Sequence, residues 1–317
     1  MELLIVVFCG QSTTAFPHVG QTVLEEPSNK IVEARDEDSR LSVLTYLEKL
    51  STKIPELVFE TQRKQIPSKI VAAYSIQFVF SPVVVETREA ENLLLLQTAM
   101  GTGQLFTENV VDISGDLLGA DCLDLSALSK QLQLCGYDAA LASTTSKAKV
   151  AYTLRGTPTN KMVRRTDLLI AEIKRIGKAL GLNKPRVTCV GAVGSVICAL
   201  RQLGMEVTAT DLNPALVNTY FDDVLVQDGA LETARCISNA DIALVTGMTL
   251  STFTLHRVVR AANSAGTPIV LFCQSCSNLA PLMVHFPVVS AICESFPFYM
   301  FPGDTRIKIF RADEWPA

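Results

Sequence analysis

The stretch from Val187 to Pro214 reads VTCVGAVGSVICALRQLGMEVTATDLNP. Its first residues, Val187-Thr188-Cys189-Val190, form a short apolar run suited to a strand buried on both faces. Gly191-Ala192-Val193-Gly194-Ser195 follows as a turn of small residues. Val196, Ile197, Leu200 and Leu203 then recur at helical spacing until Gly204 supplies a C-cap. A second strand, Glu206 to Thr210, ends at Asp211. Together these make one right-handed βαβ unit, in which an anionic group can approach backbone N–H groups at a helix N-terminus.

Downstream the same rhythm continues. Strands are predicted at 224–226, 242–245, 269–273, 288–292 and 307–310, with helices at 229–237 and 255–262 and a short helix near 281–285. Strands without internal alternation, separated by helices, predict a Rossmann-like α/β domain with a parallel sheet covered on both faces. Immediately upstream, Leu168, Leu169, Ile173, Ile176 and Leu180 mark one face of a helix over Asn160–Leu180. Its basic residues Lys161, Arg164, Arg165, Lys174, Arg175 and Lys178 read as a solvated face, with an anionic ligand or partner as the alternative. Gly181 and Pro185 close the helix.

The first half reads as a smaller α+β domain over 1–158, followed by the Rossmann-like ligand-binding domain over 159–317 with a leading linker helix. Met1–Phe8 reads as a strand: Glu2 stands where a targeting segment carries basic residues. A helix through Leu41, Leu44, Leu47 and Leu50 ends near Lys53. Strands follow at Ile70–Phe80, Val83–Glu86 and Leu93–Leu96, then a turn at Gly101-Thr102-Gly103 and helices over Leu123–Leu134 and Asp138–Lys149. The acids Asp112, Asp116, Asp121 and Asp124 lack the spacing of a calcium loop.

Composition narrows the function classes. The 317 residues are 48% hydrophobic and 19% charged with net charge −4, so no basic field favours nucleic acid or an anionic membrane surface. No run approaches the ~20 apolar residues of a membrane helix. Nine cysteines, several inside apolar patterns, predict a reducing, cytoplasmic setting rather than a disulfide scaffold.

In an open α/β sheet, ligands bind beyond the carboxyl ends of the strands. Five loops are expected there: Gly191–Ser195, Asp211–Pro214, Thr246–Leu250, Gln274–Asn278 and Glu294–Phe298. From them Gly191, Ala192, Gly194, Ser195, Asp211, Asn213, Thr246, Gly247 and Thr249 are candidate cofactor contacts. Asp211 stands where nucleotide-binding folds place an acid for ribose hydroxyls, an arrangement shared by NAD and S-adenosylmethionine. The glycine turn departs from G-x-G-x-x-G, which weakens the dinucleotide reading; Asp211 could instead cap the next helix with Asn213-Pro214. Thr246, Gly247 and Thr249 suit an anion or a helix cap. Cys273 and Cys276 form a C-x-x-C that could serve as two metal ligands, a redox pair or an incidental pair; no second C-x-x-C completes a structural zinc site. The aromatic run Phe296 to Phe301 suits a pocket wall, a homodimer contact or a covered core loop.

Asp211-Leu212-Asn213-Pro214, the segment Ala240 to Leu250 and Asn278-Leu279-Ala280-Pro281 carry a resemblance to the Rossmann-like family of unknown function called putative heavy-metal chelation proteins. The resemblance spans Val187 to Arg311. It implies an N-terminal domain similar to the enolase N-terminal fold and a ligand or metal site in the cleft between the two halves.

The expectation is therefore a small-molecule-binding Rossmann-like protein of that family, holding a nucleotide-like or metal-bearing ligand at the strand edge. An S-adenosylmethionine-dependent transferase or cyclase, an NAD-dependent oxidoreductase and a non-catalytic dimerising protein are the alternatives. S-adenosylmethionine or a divalent metal is the expected cofactor.

Overall fold

The computed structural model describes residues 4–8, 68–80, 89–99, 101–113, 115–125, 128–142 and 148–312. The expected helix ending near Lys53 and the strand at Val83–Glu86 lie outside these residues. Among the described residues no helix is long and apolar enough to cross a membrane.

The first unit is an antiparallel meander of β1 (Leu4–Phe8), β2 (Ile70–Phe80), β3 (Glu89–Thr98) and β4 (Gly101–Thr107), followed by helix α1 (Lys130–Leu141). Two expectations need correction here. Gly101-Thr102-Gly103 is the start of β4 rather than a turn, because α1 lies directly on it. A Cβ on Gly103 would sit 2.0 Å from the Cys135 carbonyl oxygen and 2.6 Å from the Ala139 nitrogen. Of the two helices expected over 123–149, the described residues hold one, α1, begun by Ser129, whose side chain accepts from the Leu132 N–H. Every residue from Leu134 to Leu141 is buried, so an apolar stripe with a 3.6 period has nothing to contrast with.

Nine strands form the second sheet, in the order β5-β13-β12-β11-β10-β6-β7-β9-β8. These are β5 (Val150–Leu154), β6 (Val187–Val190), β7 (Val207–Asp211), β8 (Tyr220–Phe221), β9 (Val224–Asp228), β10 (Ile242–Thr246), β11 (Ile269–Cys273), β12 (Val288–Ser295) and β13 (Thr305–Arg311). From β12 through β9 the pairs are parallel, as the unbroken apolar runs require. The edges differ: β13, β5 and β8 pair antiparallel. Only residues 296–304 separate β12 from β13, too few for a parallel crossover. Strand β5, which precedes the linker helix in sequence, belongs to this sheet.

Helices α2 (Pro158–Ala179), α3 (Gly194–Gln202), α4 (Gly229–Ser238), α5 (Met248–Ser251) and α6 (Leu255–Ala265) complete the layers. Thr157 caps α2 by accepting from the Asn160 N–H, and Pro158 occupies its first turn. Leu169, Ile173 and Ile176 of α2 pack with Cys189, Val207, Leu244 and Val270 on one face of the sheet. The opposite face, through Val190, Val245 and Leu271, shares a core with Leu94, Leu105, Leu134 and Leu141 of the first unit. The far side of the meander is covered by the aromatic run: Phe298 stacks on Phe106 with ring centroids 5.3 Å apart, and Phe301 is buried beside it. Of the readings open for that segment, the covered core loop is the one observed.

Helix α2 also carries a buried carboxylate. Glu172 accepts from Arg175 at 2.9 Å and from Arg311 at 2.8 Å. Burial raises its carboxyl, but the bonds from Arg311, Arg175 and Ser290 outweigh this and hold it below the ordinary value of 4.5. A depressed folded-state value gives stability above the unfolded carboxyl's pKa that is lost as pH falls through the folded one. Glu172→Gln is expected to cost roughly 2–4 kcal/mol at pH 7, since both arginines keep some water. In urea melts the gap to wild type should narrow toward pH 3; a constant gap would contradict this.

Candidate ligand site at the carboxyl edge of the parallel sheet

All five loops expected at the binding edge follow the carboxyl ends of parallel strands, and each touches at least one other. Gly191 has φ +90°, and a Cβ there would lie 2.3 Å from Thr246 Oγ1, so only glycine lets the β6 and β10 ends approach. The Ala192 N–H donates to Asp211 Oδ2 at 2.7 Å and the Asn213 N–H to Asp211 Oδ1 at 2.8 Å. Asp211 thus ties the glycine turn to the end of β7. Asn213 in turn accepts from the Ala215 N–H at 3.0 Å, and residues 214–218 are turns rather than a helix.

The small residues of the glycine turn are used against protein. Thr246 fills the side-chain side of Gly191, and the Phe221 ring would lie 2.5 Å from a Cβ on Gly194. Thr166 of α2 donates to Ser195 Oγ at 3.3 Å, joining that helix to the start of α3. Val193 gives α3 no side-chain cap, and the first N–H groups of a helix have no intrahelical partner. The Gly247 N–H donates to the Phe272 carbonyl at 2.6 Å, and Thr249 Oγ1 to the Thr246 carbonyl at 2.8 Å. Thr249 is therefore committed to its own turn, while the half-buried Thr246 hydroxyl faces Gly191.

Beyond β11 and β12 the rim carries charges. Glu294, fully buried at the end of β12, accepts from the Tyr299 N–H at 2.7 Å and from Gln274 Nε2 at 3.0 Å. Burial raises its carboxyl, opposed by Arg165, by those two donors and by Lys161. Lys161 and Arg165 of α2, expected on a solvated face, are both buried. They extend by steps of four the row that begins with Leu169 and Ile173, so the phase of the apolar face already includes them. Lys161 Nζ donates to Phe301 O at 2.6 Å, Gly303 O at 2.9 Å and Thr305 Oγ1 at 3.3 Å. Desolvation lowers its ammonium pKa, opposed by Glu294 and Asp304. The Arg165 guanidinium lies 4.0 Å from the Tyr299 ring centroid and 5.3 Å from that of Phe272.

The first unit closes one side of the rim through two residues that no motif marks. Gln104 of β4 donates to Gln274 O at 2.6 Å, Glu294 O at 2.8 Å and Ser277 Oγ at 3.0 Å, and accepts from the Phe296 N–H at 2.7 Å. Asp138 of α1 accepts from the N–H groups of Gln104 at 3.0 Å, Asn278 at 2.8 Å and Leu279 at 2.9 Å. Burial drives its carboxyl up to about 7, against the pull of those donors.

Cys273 and Cys276 lie below this rim, both fully buried, with thiols pushed well above 9.0 by desolvation first. Among the described residues no group of three or more His, Cys, Asp or Glu is arranged to hold a metal ion. Among the described cysteines Cys198 alone is not buried. A water-soluble disulfide reagent is expected to label Cys198 in the native protein and Cys273 and Cys276 only in urea. Peptide mapping checks this; native labelling of Cys273 would contradict it.

A search of the curated proteins finds no match. Among solved structures, a protein of unknown function from the DUF364 family of Pyrococcus horikoshii is similar, with 13% identity and a TM-score of 0.49, covering 84% of this chain and 99% of its own. A DUF364 protein of unknown function from Desulfitobacterium hafniense DCB-2 has 10% identity and a TM-score of 0.46, over 83% of this chain and 99% of its own. A mandelate racemase/muconate lactonizing protein from Herpetosiphon aurantiacus follows at 14% identity and a TM-score of 0.28, over 66% of this chain and 82% of its own. Residues 181–309, the part that supplies all five rim loops, match the model of the family described as DUF364, putative heavy-metal chelation.

Proposed function

We propose that the chain binds an anionic small molecule at the carboxyl edge of its parallel sheet, beside the wall formed by β4. One observation carries this reading: loops remote in sequence meet there, Gly191 against Thr246 and Ala192 against Asp211, around a helix start without a side-chain cap. Among the described residues no set of side chains fits a heavy-metal centre. The C-x-x-C thiols are fully buried and pushed well above 9.0 by desolvation, so forming the thiolates that metal binding needs is unfavourable there. A metal-bearing ligand would enter with its own donors and be held through its anionic groups.

S-adenosylmethionine is the second reading, favoured by the half-buried Asp211 carboxylate beside the first turn of α3. NAD fits less well, because Thr246 and Phe221 fill the glycine sides along which a pyrophosphate would approach. Thermal-shift titration with S-adenosylmethionine, NAD, small carboxylates and zinc tests these readings. A ligand at 100 times its dissociation constant adds about 2.7 kcal/mol. The expected result is a shift with an anionic or zwitterionic ligand that Asp211→Ala diminishes. A shift with zinc alone that Cys273→Ser abolishes would overturn the proposal.

A further inference from the structure

We infer that Arg165 is the residue that recognises a carboxylate of the bound molecule, an inference that rests on the small-molecule reading above. The two buried cations of α2 differ in how they are used. Lys161 gives its ammonium protons to three oxygens of the 301–305 segment, which fully employs it in holding that segment. Arg165, one turn on, has a side chain only 5% exposed, yet its Nε–H is buried with no acceptor among the described residues. Its charged neighbour, Glu294 Oε2, is 3.8 Å from NH1, beyond hydrogen-bond range.

The reason is local. Glu294 is held back by the Tyr299 N–H on one oxygen and Gln274 Nε2 on the other. The Tyr299 ring, its centroid 4.0 Å from the guanidinium carbon, and Phe272 at 5.3 Å meanwhile hold the cation by cation–π contact. A guanidinium directs its N–H groups along its own edge, which matches a planar, bidentate oxyanion. A buried donor left unpaired is unfavourable, so an acceptor brought from outside gains more here than at a surface arginine.

Charge selects the anion. Lys161 and Arg165 face one buried carboxylate, Glu294, and Asp304 is an exposed partner of Arg155. One further negative charge balances the cluster, which fits a carboxylate better than a phosphate dianion. Thr166, next along α2, bonds to Ser195, so the guanidinium and the start of α3 share this part of the rim.

The test uses sodium acetate, acetamide and inorganic phosphate at matched ionic strength. The readouts are the melting temperature and the nitrogen-15 resonance of the Arg165 Nε–H. Acetate should shift both in the wild type, acetamide neither, and phosphate less than acetate. Arg165→Gln should weaken the acetate response at least tenfold. Glu294→Gln, which removes the competing carboxylate, should strengthen it several-fold, a gain that a purely structural ion pair does not give. An acetate response that survives in Arg165→Gln, or that weakens in Glu294→Gln, overturns the inference. A wild type indifferent to acetate but shifted by S-adenosylmethionine overturns it too, and leaves the small-molecule reading standing. Indifference to every ligand tried counts against both.

Discussion

Asp138→Ala is expected to lower the free energy of unfolding by on the order of 4–6 kcal/mol. Three backbone N–H groups lose their acceptor together, at roughly 1–3 kcal/mol for each buried donor left unpaired. The Asn278 side chain, 3.3 Å from Asp138 Oδ2, loses part of its anchorage as well. Asp138→Asn should also be strongly destabilising, because its amide would turn an N–H group toward one of these donors. Urea unfolding at pH 8, where a carboxyl near 7 is ionised, measures both. A loss under about 1 kcal/mol for the alanine variant would mean that water replaces the carboxylate, and the account of the joint would fail. Two of the donors belong to the loop after β11, so this helix residue also sets the position of one edge of the candidate site.

Gly103→Ala should have an effect of comparable size. The atoms a methyl would meet are backbone, the Cys135 carbonyl at 2.0 Å and the Ala139 nitrogen at 2.6 Å, and no side-chain rotation relieves them. Either α1 withdraws from β4 or the strand deforms; overpacking of this kind costs about 3 kcal/mol or more. Gly115→Ala is the matched control, since among the described residues beyond its chain neighbours no atom lies within 4 Å of its Cβ position. The difference between the two variants in chemical denaturation is the measurement. Equal stabilities would show that helix and strand do not pack backbone to backbone.

The parallel part of the fold was legible because its strands are unbroken apolar runs and its turns are glycine-marked. Val187–Val190, Ile242–Thr246 and Ile269–Cys273 lie where the pattern put them. The antiparallel strand β5 was not foreseen: in Val150–Leu154 only the last residue is buried, which leaves little apolar signal. Helix α1 was missed for the opposite reason, being buried nearly all round.

At the site, rim loops could be inferred from topology alone, whereas partnerships could not. Nothing in the composition distinguishes Lys161 or Arg165 from the exposed Arg164 and Lys174 except helical phase. Gln104 and Asp138 reach the rim from another unit, and their partners are over 100 residues away in sequence, apart from each other. Cys273-x-x-Cys276 shows the converse: a conspicuous spacing whose side chains are occupied with packing.

Strand β5 bears on how this protein can be divided. Its backbone runs beside β13, with Leu154 opposite Thr305 and Val150 opposite Ile309, and the Lys149 N–H donates to the Ile309 carbonyl at 2.9 Å. An expression fragment beginning at residue 159 would strip that neighbour and leave an open β edge, an invitation to intermolecular pairing. A cut made ahead of residue 148 keeps the nine-stranded sheet whole, so the sensible place to begin a shorter version lies upstream of the linker helix and of the strand that feeds it.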